Sequence, residues 1–509
     1  MTPNVERAIA EDIIPRERDG GVGALWDKFE TFTQIPRSTG EEGTMIDYIT
    51  GWAEEKNFSY EQDAAGNLLV FVPSTPGYED RPGIILQAHM DMVCLPDEKD
   101  ADHARNPAKV GVTPVLSADG QWLGTNGTTL GADNGIGLAA ALALAEDTSI
   151  SHGPLALMLT VSEEGGTMGA ERMSFESSLA EYTYLLNFDA EDEGKATISS
   201  AAGETTIVTL PVEYELGQEN QKLVEISTRG LMGGHSGVDI HEHRLNSIKV
   251  LGRALAILHG QVEGLRIVSI SAGEKTNSIP KSAKAFVAVP RREADKISGI
   301  VKNAREDVLK DSVNTMEESF SFDISLSADT HDLTLTEEST LKVISLLGRL
   351  PDGVESMSRE VAGMVETSTN LALAHMTEGK LEIHMLSRSS VDEKLSEMGA
   401  KIARVAQENG AVAVHVDRFS GWPPNHNSLI NAIAQEAWAN VTGEKLEMFM
   451  DHAGLECGAI MGKYPHLEAI AIGPTIKDAH NKTERVHVGS VRNFYVFAKT
   501  ILNSGAASL

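Results

Sequence analysis

Six acidic or histidine side chains follow apolar segments of the chain at positions where a buried strand would end or a helix begin. The segments that carry them are IILQAH (His89), GTTLGADNG (Asp133), LALMLTVSEE (Glu163 and Glu164), YLLNFD (Asp189) and AIAIGPTIKDAH (His480). In open α/β sheets the carboxyl ends of the strands form the ligand-binding edge, so we expect these side chains to converge there. Carboxylates gathered at one edge repel one another unless cations bind between them. The pattern therefore predicts a metal centre.

The donor types indicate which metals would bind. Imidazole nitrogen together with carboxylate oxygen suits zinc or a similar divalent ion, whereas magnesium and calcium favour all-oxygen sites. Five ligand residues fit two ions, about 3.5–4 Å apart and sharing one carboxylate, better than a single ion. Asp133, in its glycine-rich turn, is the natural bridge. We expect two divalent ions, zinc first, with manganese and cobalt as alternatives.

Two further features of these segments predict how protons are handled. Asp91 lies two residues after His89, on the same side of an extended strand, and can accept the second N–H of a metal-bound imidazole. The adjacent residues Glu163 and Glu164 point apart at a strand end. One of them is expected to bind metal, while the other takes a proton from water and passes it to a leaving amine. The residues alone do not decide which.

The elements that must position these residues alternate between helix and strand. From about residue 25 to 201, amphipathic helices separate short strands that are apolar throughout, such as NLLVFVP and PGIILQAH. Strands of this kind belong to a mainly parallel sheet covered on both faces. The predicted fold class is α/β, with a catalytic domain that carries helices on both faces of its sheet.

After residue 203 the pattern changes to strands with two-residue alternation, such as KLVEIST and KAFVAVP, interleaved with charged helices. This pattern predicts an inserted α+β domain with an antiparallel sheet. A similar element order from about 335 to 420, without a residue-level repeat, is compatible with a duplication. The α/β pattern then returns. The predicted division is an N-terminal extension (1–20), a first catalytic part (21–202), the inserted domain (203–424) and a second catalytic part (425–509).

Composition disfavours two classes of partner. The chain has 43 basic and 74 acidic residues among 509, a formal charge of -31, which disfavours nucleic acid and anionic membranes. Cys94 and Cys457 form neither a disulfide pattern nor a thiolate zinc motif. Because charged residues run through the first 20 positions, we expect no secretory signal, and the longest wholly apolar run falls far short of a membrane span. We expect a soluble, cytoplasmic protein.

Nine segments carry a resemblance to a known family. In chain order they are LQAHMDMV, GTTLGADNGIG, TVSEEGGTMGA, LLNFDAEDEG, GLMGGHSGVDIH, NSIPKSAKA, VETSTNLA, HAGLECG and IGPTIKDAHNKTERVHV. Together they resemble the bacterial aminoacyl-histidine dipeptidases, also called Xaa-His or carnosinase-like dipeptidases. These belong to the dinuclear metallopeptidases related to carboxypeptidase G and acetylornithine deacetylase. The resemblance runs from about residue 21 to the C-terminal region and leaves residues 1–20 without a role.

The resemblance implies two ligand sets that share one residue. The first consists of His89, Asp133 and Asp189, and the second of Asp133, Glu164 and His480. In this family the bridging aspartate commonly precedes a cis peptide bond.

The resemblance also implies roles outside the ligand sets. Glu163 is expected to be the general base and Asp91 to orient the metal-bound imidazole. His235, in GGHSG, matches a histidine that family members present to the substrate carbonyl oxygen. Asn277 and Arg388 match positions that bind the carboxylate end of a substrate, and a guanidinium suits that group. The inserted domain is expected to act as a lid and as a homodimer interface.

The predicted function is metal-dependent hydrolysis of unblocked dipeptides, of Xaa-His type such as β-alanyl-histidine. The alternative is an N-acyl amino acid deacylase, which shares the metal chemistry and differs in the lid pocket. A catalytically silent binding protein would have no physical reason to keep five converging ligands.

Overall fold

The computed structural model describes most of the chain, which forms two compact units. The described residues are 22–97, 106–166, 168–175, 178–218, 220–311, 320–326, 332–359, 363–425 and 427–504. The first unit comprises the described parts of Met1–Ser199, Pro424–Met450 and Leu455–Leu509, and the second those of Ser200–Pro423 and Asp451–Gly454. The predicted N-terminal extension, 1–20, lies outside the described residues.

Twelve α-helices lie in the described ranges. They are α1 (Val22–Thr33), α2 (Gly43–Lys56), α3 (Pro107–Val110), α4 (Ala132–Glu146), α5 (Met168–Arg172), α6 (Ser247–Gln261), α7 (Ile297–Asp311), α8 (Glu337–Arg349), α9 (Asp392–Glu408), α10 (Leu429–Thr442), α11 (Glu456–Lys463) and α12 (Val488–Ser504). Two short 3₁₀ helices span Ile240–Glu242 and Ala294–Lys296. Within this part of the chain, none of the helices combines the length and apolar character that crossing a membrane requires.

The strands alternate with these helices. They are β1 (Ser59–Gln62), β2 (Leu68–Val72), β3 (Gly83–His89), β4 (Val115–Leu116), β5 (Trp122–Gly124), β6 (Leu155–Thr160), β7 (Tyr182–Asn187), β8 (Lys195–Ser200), β9 (Ala202–Pro211), β10 (Tyr214–Leu216), β11 (Gln221–Arg229), β12 (Gly234–His235), β13 (Arg266–Ala272), β14 (Ser278–Ile279), β15 (Ala283–Pro290), β16 (Ser321–Leu326), β17 (Leu333–Leu335), β18 (Gly353–Met357), β19 (Val365–Thr377), β20 (Lys380–Ser389), β21 (Val412–Phe419), β22 (Glu447–Asp451), β23 (Glu468–Ala471), β24 (Ile476–Lys477) and β25 (Arg485–His487).

The first unit is built around an eight-stranded sheet in the order β1-β2-β6-β3-β7-β23-β8-β22. Its four central strands, β6, β3, β7 and β23, are parallel, and β1 and β2 continue the sheet in antiparallel fashion. Every residue of β3 and of β6 is buried, as expected for strands covered on both faces. The predicted α/β class with a mainly parallel sheet is confirmed.

Helix α4 shows how small residues bring a helix close to this sheet. Its sequence, ADNGIGLAAALALAE, is buried at almost every position because alanine and glycine let neighbouring elements approach. A Cβ added at Gly137 would lie only 2.6 Å from the carbonyl oxygen of Phe188, just after β7. This close approach places the first turn of α4, which contains Asp133, beside the end of β7 and Asp189.

The second unit contains a nine-stranded antiparallel sheet. Eight strands follow the order β16-β11-β15-β13-β19-β20-β9-β21, and β18 pairs with β19. In β20, Leu381, Ile383 and Met385 are in the core, whereas Glu382 and His384 are partly exposed, so the alternation is that of a sheet covered on one face. Residues of α6, α8 and α9 complete this core. The predicted α+β character is confirmed.

Candidate metal centre and active site

The ends of three parallel strands and the start of one helix bring the predicted ligands together. His89 is the last residue of β3, Asp189 follows β7 by two residues, and Glu164 lies in the turn after β6. Asp133 lies in the first turn of α4, and its peptide bond to the next residue is cis, as the resemblance implies. His480 comes from the segment between β24 and β25. All five belong to the first unit.

Asp133 is common to two groups of three potential ligands. In each group, His89–Asp133–Asp189 and Asp133–Glu164–His480, the ligand atoms lie within 4.8 Å of one another. Asp133 Oδ1 lies 3.0 Å from His89 Nε2, and its Oδ2 lies 3.0 Å from His480 Nε2. His480 Nε2 is also 2.8 Å from Glu164 Oε2, and His89 Nε2 is 3.4 Å from Asp189 Oδ1. The two oxygens of one carboxylate thus face one group each, as a bridging ligand requires.

His487, the other histidine near the C-terminal end, belongs to neither group. Its Nδ1 accepts a hydrogen bond from the backbone N–H of Ser490 at 3.2 Å, and its ring packs edge-on against Trp122. These contacts give the side chain a structural role.

In each group, the neighbouring carboxylates raise the pKa of the imidazole. Hydrogen bonds that His480 donates to Asp133 and Glu164 raise the pKa of His480 to about 11. Burial alone would lower the pKa of His89, but Asp189 and Asp133 raise it well above its usual range. Burial opposes a low pKa for Asp133, yet its contacts with the two imidazoles hold that pKa below its usual range. Divalent cations would displace these protons, since metal ligands bind in their deprotonated forms.

The residues present fit two divalent cations. Glu164 Oε1 is buried and has no hydrogen-bond partner among the described residues, and burial raises the pKa values of Glu164 and Asp189. Buried carboxylates of this kind have lost their hydrating water without gaining enough hydrogen-bond partners in exchange. A cation coordinated by nitrogen and oxygen donors satisfies them, which is the usual reason for such a cluster.

Asp91 connects the imidazole of one group with the glutamate pair. Its Oδ1 accepts a hydrogen bond from the backbone N–H of Glu163 at 3.0 Å, and its Oδ2 accepts those of Glu164 N–H at 3.2 Å and Thr39 Oγ1 at 2.9 Å. His89 Nδ1 lies 3.1 Å from the carbonyl oxygen of Asp91 and 3.4 Å from its Oδ1. Asp91 therefore fixes the turn that carries both glutamates as well as the ring of His89.

Glu163 lies beside the two ligand groups without belonging to either. Its carboxylate forms a third cluster with His89 and Glu164, again within 4.8 Å. Burial raises the pKa of Glu163 well above its usual range, and the negative charge of Asp189 adds to the rise against the opposing effect of His89. A carboxyl group with a raised pKa is suited to accept and return a proton near neutral pH.

The sequence profile of Peptidase family M20/M25/M40 matches residues 85–503, a range that contains every side chain of this centre. The chain belongs to peptidase family M20/M25/M40. This M20 membership confirms the prediction of a metallopeptidase.

Several known proteins match this M20 chain over nearly its whole length. The cytosol non-specific dipeptidase of Escherichia coli K12 is 34% identical over 94% of this chain and 96% of its own. The crystal structure of aminoacylhistidine dipeptidase from Vibrio alginolyticus superimposes with a TM-score of 0.82 at 33% identity, covering 95% and 96% of the two chains. A tripeptidase from Staphylococcus aureus shares the fold, with a TM-score of 0.54, 16% identity and coverage of 96% and 99%.

His235, Asn277 and Arg388, which sequence reasoning placed at the substrate, lie in the second unit of the M20 chain. His235 Nδ1 accepts hydrogen bonds from the backbone N–H groups of Gly237 at 3.3 Å and Val238 at 3.2 Å. A neutral imidazole that accepts at Nδ1 carries its proton on Nε2. The ring is therefore held in the tautomer that can donate from Nε2.

Arg388 is a buried cation with unused donors. Its side chain, on β20, lies over the ring of Phe419 and is only 5% exposed, and Nε and Nη1 find no hydrogen-bond partner among the described residues. Burial lowers the pKa of Arg388 to about 10, against the opposing charge of Asp451. A guanidinium in this state is suited to binding an anion.

Asn277 is exposed, and its backbone carbonyl oxygen accepts a hydrogen bond from the backbone N–H of Ser236 at 2.9 Å.

A buried hydrogen-bond network next to the candidate metal centre was missed by sequence reasoning. Glu456 Oε2 accepts hydrogen bonds from Gln87 Nε2 at 2.6 Å and Thr160 Oγ1 at 2.7 Å. Asn187 donates to Gln87 and accepts at Oδ1 from the backbone N–H of Asp189 at 3.1 Å. Burial raises the pKa of Glu456 to about 7. The network joins the ends of β3, β6 and β7, and its only sequence signal is the segment HAGLECG.

Arg37 and Glu484, two buried charges on either side of the Asp133 loop, were missed as well. Their side chains are 2% and 3% exposed. In the sequence they stand in QIPRST and NKTERV, polar segments with the composition of surface loops. No spacing rule marks such residues as buried.

Proposed function

We propose that this chain hydrolyses unblocked dipeptides with two bound divalent ions, and that Xaa-His dipeptides such as β-alanyl-histidine are among its substrates. The observation that carries the proposal is the Asp133 carboxylate, whose two oxygens face the two ligand groups at 3.0 Å from an imidazole of each. The names of the Vibrio and Escherichia coli relatives support the substrate class, one pointing to aminoacylhistidines and the other to a wider range of dipeptides.

The proposed ligands are His89, Asp133 and Asp189 for one ion and Asp133, Glu164 and His480 for the other. Zinc is our first choice because the donor set mixes imidazole and carboxylate, and manganese and cobalt accept the same ligands. Bound at these positions, the ions would supply Lewis-acid polarisation of the scissile carbonyl group and a water of lowered pKa.

Protein side chains would move the protons and hold the substrate. Glu163 takes a proton from the attacking water and delivers it to the departing amine, while Asp91 holds the Glu163 backbone in place. His235 donates from Nε2 to the carbonyl oxygen as negative charge develops there. Arg388, with Asn277, binds the terminal carboxylate of the dipeptide.

We further propose that residues 21–202 and 425–509 act as the catalytic domain, that residues 203–424 form a lid and the interface of a homodimer, and that the enzyme works in the cytoplasm. The cytosolic designation of the Escherichia coli relative supports the last point. Light scattering of the full chain, and of a variant altered on the lid, would test the homodimer.

Histidine release from β-alanyl-histidine is expected to require metal. Chelation should abolish release, and zinc, manganese or cobalt should restore it. The reason is that the bound ions, held by the carboxylates and imidazoles, would bind the substrate and polarise its carbonyl group. N-acetyl-histidine is the control, since a dipeptidase acts on the free dipeptide in preference to the N-acylated amino acid. Alanyl-alanine measures the breadth of specificity. Faster cleavage of N-acetyl-histidine would replace the dipeptidase by an N-acyl amino acid deacylase.

Arg388→Lys is expected to raise KM for dipeptides about tenfold or more with a smaller effect on kcat. A lysine keeps the charge but loses the planar fork that binds a carboxylate through two hydrogen bonds, each worth on the order of 1.5–3 kcal/mol. Steady-state kinetics on a dipeptide and its C-terminal amide separate the cases, since the wild type should prefer the free acid and the variant should lose that preference.

Arg418→Lys is the matched control for this prediction, because Arg418 pairs with Glu204 and Asp392 at a partly exposed position of the same unit. An unchanged preference for the free acid in Arg388→Lys would assign Arg388 a structural role only.

A further inference from the structure

Four consecutive backbone N–H groups at the start of α4 converge on one buried carboxylate. Glu484 Oε2 accepts hydrogen bonds from Leu130 N at 2.7 Å and Gly131 N at 2.9 Å. Its Oε1 accepts them from Ala132 N at 2.8 Å and Asp133 N at 3.3 Å. N–H groups at a helix start have no partner within the helix, and a negative charge is favoured there. Glu484 therefore fixes the backbone that ends at the shared carboxylate of the metal centre.

The same carboxylate belongs to the segment that supplies the second imidazole. Glu484 lies four residues after His480, and backbone hydrogen bonds from Glu484 N to Asn481 O at 3.0 Å and from Asn481 N to Asp478 O at 3.1 Å hold the segment in consecutive turns. One side chain thus joins the loop carrying Asp133 to the segment carrying His480, although the joined residues are more than 350 positions apart. Asp133 and His480 are two of the three ligands in the Asp133–Glu164–His480 group.

Arg37 holds the opposite side of the same loop. Its Nη2 donates to Gly131 O at 2.6 Å, and its Nη1 donates to Asp91 O at 2.7 Å and Met90 O at 3.1 Å. Gly131 has φ +71, and a Cβ there would lie 2.8 Å from Arg37 Nη2. The loop therefore needs glycine at this position both for its backbone conformation and for the close approach of the guanidinium.

We propose that Glu484, with Arg37 opposite it, is a positioning residue that sets Asp133 and His480 at the spacing required to bind the second ion. The inference rests on the proposed metal centre. Its physical basis is that a carboxylate accepts at both oxygens, whereas an amide accepts at one only. In Glu484→Gln, the NH2 group must face two of the four backbone N–H groups, so donors oppose donors and the loop shifts.

Glu484→Gln is expected to weaken binding of one of the two zinc ions about 10- to 100-fold, the usual effect of removing a group that orients ligands. Zinc-buffered titration of the full chain measures the affinity, and thermal melting of the chelated protein measures folding. Glu468→Gln is the matched control. Glu468 also accepts a backbone N–H at a helix start, that of Leu429 at 2.8 Å, and a hydrogen bond from Ser428 Oγ at 2.7 Å, and these partners lie outside the ligand groups.

The outcomes separate this inference from the metal centre itself. A Glu484→Gln variant that melts earlier but binds both ions as the wild type does would make Glu484 a structural residue only and overturn the inference. If that variant fails to fold, Glu484→Asp replaces it. Its carboxylate is one methylene shorter and cannot reach the four N–H groups unless the loop or the His480 segment moves, so wild-type zinc affinity in it would also overturn the inference. Wild-type protein that binds fewer than two ions would instead refute the two-ion centre.

Discussion

Replacing Glu163 with glutamine is expected to lower kcat by about 10²- to 10⁴-fold, the range that general acid–base catalysis contributes, while both metal ions stay bound. Glutamine keeps the size of the side chain but cannot take a proton from water or return it to the amine. The proposed ligand groups do not include Glu163, so metal content should not change. Steady-state kinetics on β-alanyl-histidine and elemental analysis of the same samples test both parts.

Glu193→Gln is the control for this substitution. Glu193 lies in the first unit, accepts a hydrogen bond from Asn493 Nδ2 at 2.7 Å and belongs to neither ligand group. A near-normal kcat in Glu163→Gln would refute the proposed base. Loss of metal from the same variant would show that Glu163 is a ligand, and the cluster of Glu163 with His89 and Glu164 would then be a third coordinating group.

The convergence of the ligands could be predicted because parallel topology determines it. Once β3, β6 and β7 were recognised as buried parallel strands, residues at their carboxyl ends had to meet at one edge. The division into two groups that share Asp133 came from the family resemblance, since strand periodicity does not say which carboxylate faces which imidazole. The side-chain distances of Asp133 agree with that division.

The supporting contacts could not be predicted because they join distant parts of the chain. Glu456 reaches Gln87 across 369 positions, and Glu484 reaches the Asp133 loop across about 350. Both look like ordinary polar residues until their burial is known.

Only some of the contacts of Asp91 could be predicted. Its proximity to His89 follows from strand spacing, but its bonds to the backbone of Glu163 and Glu164 depend on a turn in which Ser162 has φ +54.

Asp133→Asn is expected to remove both ions, whereas loss of any other single ligand should weaken one. The asparagine amide would lose the charge and keep a single oxygen acceptor, so one group would lose its shared ligand and the other would keep only a weaker, neutral one. After chelation, reloading with zinc and gel filtration, the variant should hold less than one ion per chain, and its activity should match that of chelated wild type. Asp192→Asn is the control, because Asp192 pairs with Lys195 and Lys477 at a partly exposed position.

His480→Ala separates a shared ligand from one that belongs to a single group. It removes an imidazole from the Asp133–Glu164–His480 group and leaves His89, Asp133 and Asp189 intact, so about one ion should remain. Because His480 is about half exposed while Asp133 is largely buried, its removal also disturbs the fold less. Equal metal loss in the two variants would argue against a bridging role for Asp133, and full metal retention in His480→Ala would exclude His480 as a ligand.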